Sequence, residues 1–322
     1  MSAIAHCILH IGAEKTGTTS IQKHFGRHAD ALRRRGYWYP ASLAEPGSFV
    51  HTRLSDIGRN RKPDSAAKFG QAFQRELDEA ARAGAHTAII SSEFLHSTVR
   101  KAFGVRRIRD FLEPFFGDTR IVYYARRQDN MLVSMHSTAV RGGFTSSASA
   151  LAVYQGKGHY YFDHAAVCEL WAETFGRENL LCRVYERALL TNGDIVDDFA
   201  AAIGLALEDG EAKPTANESI SFEAMHVLLL LNGSKHKDNT ELRRKLVAQG
   251  RRRGGERIPM LTRAEAQEFL ARFEDSNRNF FERYVDPRHA RGFEPGFEGF
   301  PEEVPDPPPA RKIVDFIFGR NE

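Results

Sequence analysis

A chain of 322 residues with 42% hydrophobic and 27% charged residues holds enough apolar material for a sizeable core. Its 45 Lys and Arg against 42 Asp and Glu leave a net charge of +3, too balanced for nucleic-acid binding by bulk electrostatics. Three cysteines without metal-ligand spacing, no apolar stretch near the ~20 residues of a membrane span and no basic leader argue against a disulfide scaffold, a metal centre, a transmembrane segment and secretion. The expectation is a cytoplasmic protein without metal. Cys7 and Cys182 lie in apolar runs and read as small buried hydrophobes.

In chain order, residues 5–11 (AHCILHI) form a short apolar run that stops at Gly12 and predicts a buried strand. After GAEKTGTT, the positions Ile21, Phe25, Ala29 and Leu32 keep helical spacing up to a C-cap at Gly36. A second helix is expected over 66–83, followed by the strand TAIISSE ending at Glu93. A helix over 105–116 leads to the strand TRIVYYARR, then to a helix over QDNMLVSMHSTAV. The helix HAAVCELWAETFG precedes a fourth strand, LLCRVYER, and GDIVDDFAAAIG follows it.

This alternation predicts an α/β fold: a P-loop-type parallel sheet with helices on both faces, its functional groups gathered beyond the carboxyl ends of the strands. Residues 1–290 are expected to form a single domain, mainly helical over 217–290. Residues 291–322 are expected to be a Pro/Gly-rich extended tail ending in a short docked element. The basic stretch Arg243–Arg257 reads either as an attractor of anions or as a solvated, mobile surface loop. Asn217 and Trp171 read as capping or core residues.

Three places carry chemistry. The first is Gly12–Thr19, spaced as G-x-x-x-x-G-T-T, which matches a P-loop except that Thr18 stands where a lysine is usual. Loop N–H groups and the helix N-terminus make an anion cradle, with hydroxyls from Thr18 and Thr19 and an ammonium from Lys15. The second is Arg126, at a strand end, with Ser134 one to two turns into the next helix: a guanidinium and a hydroxyl suited to a phosphate. Arg127 is a second such contact or a surface charge. The third is a base. Glu93 at its strand end is one candidate, with helix cap or ion-pair partner as its plain alternative. His51 in the loop GSFVHTRL is the other, with a structural role as its alternative.

The run HIGAEKTGTTSIQ resembles the 5′-phosphosulfate-binding loop of sulfotransferases that use 3′-phosphoadenosine 5′-phosphosulfate, and the likeness extends over residues 5–285. The resemblance implies that Lys15, Thr16, Gly17, Thr18 and Thr19 hold the 5′-phosphosulfate and that Lys15 steadies charge on the bridging oxygen. It implies that Arg126 and Ser134 hold the 3′-phosphate; Gln128, where proline is common, is similar to bacterial members. Transfer would go to a hydroxyl or amine, on a carbohydrate or glycolipid acceptor, leaving adenosine 3′,5′-bisphosphate and needing no metal. A P-loop kinase or NTPase is the rival, weakened by the missing lysine and by strands that end in Glu or Arg rather than a Mg²⁺-binding Asp. A non-catalytic anion-binding protein is the third reading.

Overall fold

A computed structural model describes residues 4–60, 63–145, 149–207, 220–234 and 240–318, with backbone alone at 63–68 and 155–157. Asn217 lies outside the described residues. Five strands appear: β1 (Ile4–His10), β2 (Tyr37–Trp38), β3 (Thr87–Ser91), β4 (Phe116–Ala125) and β5 (Leu180–Val184). The α-helices before β4 are α1 (Thr18–Arg27), α2 (Ala29–Arg34), α3 (Thr52–Gly58), α4 (Pro63–Arg82), α5 (Phe94–Thr98) and α6 (Ala102–Leu112). Then come α7 (Gln128–Arg141), α8 (Leu151–Lys157), α9 (His164–Phe175), α10 (Ile195–Ala202) and α11 (Phe222–Gly233). The last are α12 (Thr240–Arg253), α13 (Arg263–Ala271), α14 (Glu274–Tyr284) and α15 (Ala310–Phe318). The chain divides into two compact units: residues 1–126, 163–216 and 275–293, and residues 127–162, 217–274 and 294–322.

The first unit is a mixed α/β structure around a parallel sheet of order β2-β3-β1-β4-β5. Parallel strands are covered on both faces, which is why β3 is buried at every position and shows no polar alternation across Ala88, Ile89 and Ile90. Neighbouring residues of β4 show the two faces. The Tyr124 hydroxyl donates to Asp198 on α10 at 2.7 Å, whereas Tyr123 pairs with His164 on α9, also at 2.7 Å. On the Tyr124 face, Ile8, Ile89 and Val122 pack under Ile21 and Phe25 of α1 and Phe199 of α10. Cys7, Cys168 and Cys182 are buried free thiols.

Local differences from expectation have local causes. The helix expected to run unbroken to Gly36 breaks at His28, whose backbone leaves the helical region and whose ring and backbone N–H both meet the His24 carbonyl. Phe116, expected as the end of a helix, opens β4 instead because it pairs in register with Ile4. The two-residue β2 is too short to carry a periodicity.

The second unit is helical. The apolar α11 buries Met225, Val227 and Leu228 against Val140 of α7, Leu246 of α12 and Phe316 of α15. Thr262 and Glu265 form a capping box that starts α13. The basic stretch is not a loop up to Arg253 but the helix α12. Leu246 and Gly250 turn inward; a Cβ at Gly250 would sit 2.8 Å from that of Ala224, so glycine lets α12 approach α11.

Candidate active site

The loop between β1 and α1 is built by three left-handed residues, Gly12 (φ 70°), Lys15 (φ 72°) and Gly17 (φ 78°). Glycine adopts this conformation freely; for Lys15 it costs roughly 1–2 kcal/mol. A Cβ on Gly12 would lie 3.1 Å from both Cα and Cβ of Glu93, and one on Gly17 would lie 2.9 Å from Ile195 and 3.2 Å from the Tyr185 ring. The loop is therefore pressed between the ends of β3 and β5. Thr16 is buried, and its hydroxyl donates to the Ala13 carbonyl at 2.6 Å, so that group braces the loop from within. No side chain caps α1 at Gly17 and its first turn holds no acid, which leaves the positive end of the helix open to an anion.

Arg126 follows β4 at the same sheet edge. Its Nη1 donates to the Lys15 carbonyl at 2.8 Å, and its guanidinium lies over the Tyr185 ring, 5.5 Å from the centroid. The Arg126 carbonyl is held in turn by His164, whose Nε2–H donates to it at 2.8 Å while Nδ1 accepts from the Tyr123 hydroxyl. Burial pulls the His164 pKa down to about 4, so the ring stays neutral and keeps this tautomer.

Glu93 stands just beyond β3, at the entrance to α5, yet its side chain caps nothing. Gln22 of α1 donates to Glu93 Oε2 at 2.5 Å and to Ser91 Oγ at 3.3 Å, and His10 Nδ1 meets the same Ser91 hydroxyl at 2.8 Å. Burial raises the Glu93 pKa above the ordinary glutamate value. The Gln22 hydrogen bond works against that shift, Glu14 adds to it and the Lys15 charge opposes it. The carboxyl is thus half-buried, with its pKa raised by burial, and under the influence of the loop's ammonium.

His51 is placed differently. It is fully buried, its Nε2–H donates to the Pro40 carbonyl at 2.7 Å, and Nδ1 accepts the Ser91 backbone N–H at 2.8 Å. Both ring nitrogens are taken, and burial pulls its pKa down to about 4. This histidine fastens the loop before α3 to Ser91 at the carboxyl end of β3. Arg127 is neither a surface charge nor an open phosphate contact. It is buried, forks onto the fully buried Asp129, donates to the Glu294 carbonyl and lies 4.7 Å from the centre of the Phe297 ring. Ser134 lies half-buried on α7 in the second unit, its carbonyl accepting from the Thr138 hydroxyl. The loop, Gln22, Glu93, Arg126, His164 and Tyr185 all belong to the first unit.

The first unit thus brings together Lys15, Gly17, Thr18, Glu93 and Arg126. Sequence reasoning missed Gln22, His164 and Tyr185. Tyr185 carried a usable signal, since it directly follows β5 at the functional edge; the other two meet their partners only through the fold. Among the described residues, no group of three or more His, Cys, Asp or Glu is placed to hold a metal ion. Among the same residues, no helix is long and apolar enough to cross a membrane.

No family model matches the chain. An Archaeoglobus fulgidus protein, described as an uncharacterized protein, is 29% identical over 201 residues, covering 61% of this chain and 53% of that protein. The chain therefore spans about half the length of the curated relative it matches. Among solved structures, a sulfotransferase from Alicyclobacillus acidocaldarius is similar at 17% identity and a TM-score of 0.39, over 70% of this chain and 91% of that one. The sulfotransferase domain from the curacin biosynthetic pathway is similar at 10% identity and a TM-score of 0.37, over 68% and 80%.

Proposed function

We propose that this chain is a sulfotransferase that moves a sulfuryl group from 3′-phosphoadenosine 5′-phosphosulfate to a hydroxyl or amine of a carbohydrate or glycolipid. The observation that carries the reading is the hydrogen bond from Arg126 to the Lys15 carbonyl. It brings an arginine suited to phosphate against a P-loop-like turn whose helix end is open. Residues of the first unit fit such a donor: the α1 N-terminus, Lys15 and Thr18 for the phosphosulfate, and Arg126 for a second anionic group.

The donor, when bound, supplies a sulfuryl group attached to a good phosphate leaving group. Glu93 as carboxylate takes the proton that the acceptor sheds as its oxygen or nitrogen bonds to sulfur. Lys15 offsets the charge gathering on the bridging oxygen as the old S–O bond breaks and that oxygen keeps the electron pair. Gln22 orients the carboxyl group and favours its ionised form. The loop and Arg126 hold the donor, so that catalysis is mainly positioning and charge compensation.

The test is transfer of radioactive sulfur from labelled donor to a panel of glycans, glycolipids and amines. Labelled product that disappears in Lys15→Ala is the expected result. Magnesium-dependent ATP hydrolysis without sulfur transfer would assign the loop to a nucleoside triphosphate and overturn the reading.

A further inference from the structure

The second unit contains a cavity of about 370 Å³ whose lining includes four arginines and no acidic residue: Arg141 of α7, and Arg243, Arg244 and Arg251 of α12. We infer that this cavity, lined by residues of the second unit alone, is a binding site for a small ligand bearing two or more phosphate or sulfate groups.

Four like charges around one space are costly unless something offsets them. Among the described residues, none of the four lies within 4 Å of a carboxylate oxygen. Glu241, in the first turn of α12, pairs with Lys245 at 2.8 Å and feels the Arg244 charge only as a weaker influence. Helix ends account for part of the pattern. Arg141 and Arg251 stand in the last turns of α7 and α12, where the negative end of a helix favours cations. Arg243 and Arg244 stand at the opposite end of α12, where a cation is disfavoured, and they turn to the same space. Arg243, Val247 and Arg251 recur every four residues, so they share one face of the helix.

Two of the guanidinium groups are held in place. Arg243 Nε donates to Asn232 Oδ1 at 3.0 Å, and the Asn232 amide is itself fixed by donating to the Val140 and Phe144 carbonyls, both at 2.8 Å. Arg141 donates to the Thr138 hydroxyl at 2.9 Å and to the Ser137 carbonyl at 3.2 Å. Burial and the neighbouring Arg251 charge both lower the Arg141 pKa, as expected where like charges share one partly buried space. Guanidinium forks match tetrahedral oxyanions, and preorganised ones lose little entropy on binding. A volume of this size admits more than one such group.

The experiment is calorimetric titration of the full chain with inorganic pyrophosphate, at constant ionic strength, beside acetate as a monoanion control. It is repeated on the double variant Arg244→Gln/Arg251→Gln, whose side chains are exposed, and on Arg126→Ala. The expected result is saturable pyrophosphate binding that acetate does not reproduce, weakened roughly tenfold or more in the double variant. In Arg126→Ala that component persists. The double variant is expected to melt no lower than the parent without ligand. Competition by a disulfated disaccharide or by a nucleoside diphosphate distinguishes a sugar-borne from a nucleotide-borne anion, and either supports the site. Equal pyrophosphate binding by parent and double variant, or none beyond the acetate control, overturns it. Because Arg126 belongs to the first unit and does not line the cavity, failure here leaves the sulfotransferase reading to be judged by its own assay.

Discussion

Arg126 and Lys15 are 111 positions apart in the chain, yet the Arg126 guanidinium donates to the Lys15 carbonyl at 2.8 Å. The bond holds the crown of the loop against the end of β4, and the Tyr185 ring beneath the guanidinium completes the contact. A charge already spent partly on the loop's backbone is pre-positioned for an anion seated on that loop.

Lys15 separates stability from turnover. Its left-handed backbone suits glycine, so Lys15→Gly relieves strain while adding chain entropy, and the two offset to within about 1 kcal/mol. Thermal melting should therefore be nearly unchanged. Sulfuryl transfer should fall roughly 10²–10³-fold as the charge on the leaving oxygen goes uncompensated. A variant with parental turnover would remove Lys15 from the chemistry.

On the proposed mechanism Glu93 sets a pH dependence. Its raised pKa moves the acid limb of kcat/KM above the ordinary glutamate value of 4.5, and Glu93→Gln should cut kcat/KM roughly 10²–10⁴-fold. Gln22→Leu removes a donor that favours the carboxylate and should move the limb further up. The stability sign follows: a raised folded pKa gives stabilisation that is full below 4.5 and lost as pH rises through the folded value. Glu93→Gln should accordingly melt higher than the parent at neutral pH. An acid limb that ignores both substitutions would contradict the assignment.

His51 gives the opposite pattern. His51→Phe leaves the Ser91 N–H and the Pro40 carbonyl without partners and should cost about 1–3 kcal/mol in denaturant unfolding. The acid limb of kcat/KM in the folded variant should stay where it was. A displaced limb would make His51 the base.

Much of this was readable before the fold was known, for reasons specific to particular residues. Parallel strands buried on both faces leave apolar runs, so β1, β3, β4 and β5 stand out, and strand ends mark the functional edge without further information. Gly12, Lys15, Gly17, Glu93 and Arg126 all lie at such ends. Gln22 meets Glu93 across 71 residues and His164 meets the Arg126 carbonyl across 38, and no local pattern encodes either pairing. The helix α12 was hidden for a different reason. Its charged positions outnumber the apolar ones, and Gly250, a helix breaker by propensity, is there because α11 comes close.

Beside the loop, Asp198 anchors α10. It is fully buried and accepts from Tyr124 at 2.7 Å, from Arg183 twice at 2.6 Å and from the Thr191 N–H at 3.0 Å. Burial alone would raise its pKa, but the Arg183 fork, the Thr191 N–H and the Tyr124 hydroxyl outweigh it and hold the carboxyl below its ordinary 3.8. Its stabilisation is therefore full above 3.8 and lost as pH falls through the lower folded value. Asp198→Ala should cost about 3–5 kcal/mol because Arg183 is left without its counter-charge. It should also weaken donor binding, since Ile195 of the same helix packs against Gly17. Unfolding free energies of parent and variant that agree at pH 7 would contradict this.

The most direct test of the central claim is calorimetric titration of the parent and of Arg126→Ala with adenosine 3′,5′-bisphosphate, beside ATP with Mg²⁺. Saturable binding of the bisphosphate, weakened roughly tenfold or more by the substitution and unmatched by ATP, is the predicted result. Tight ATP binding with no response to the bisphosphate would contradict it and return the loop to a nucleoside triphosphate.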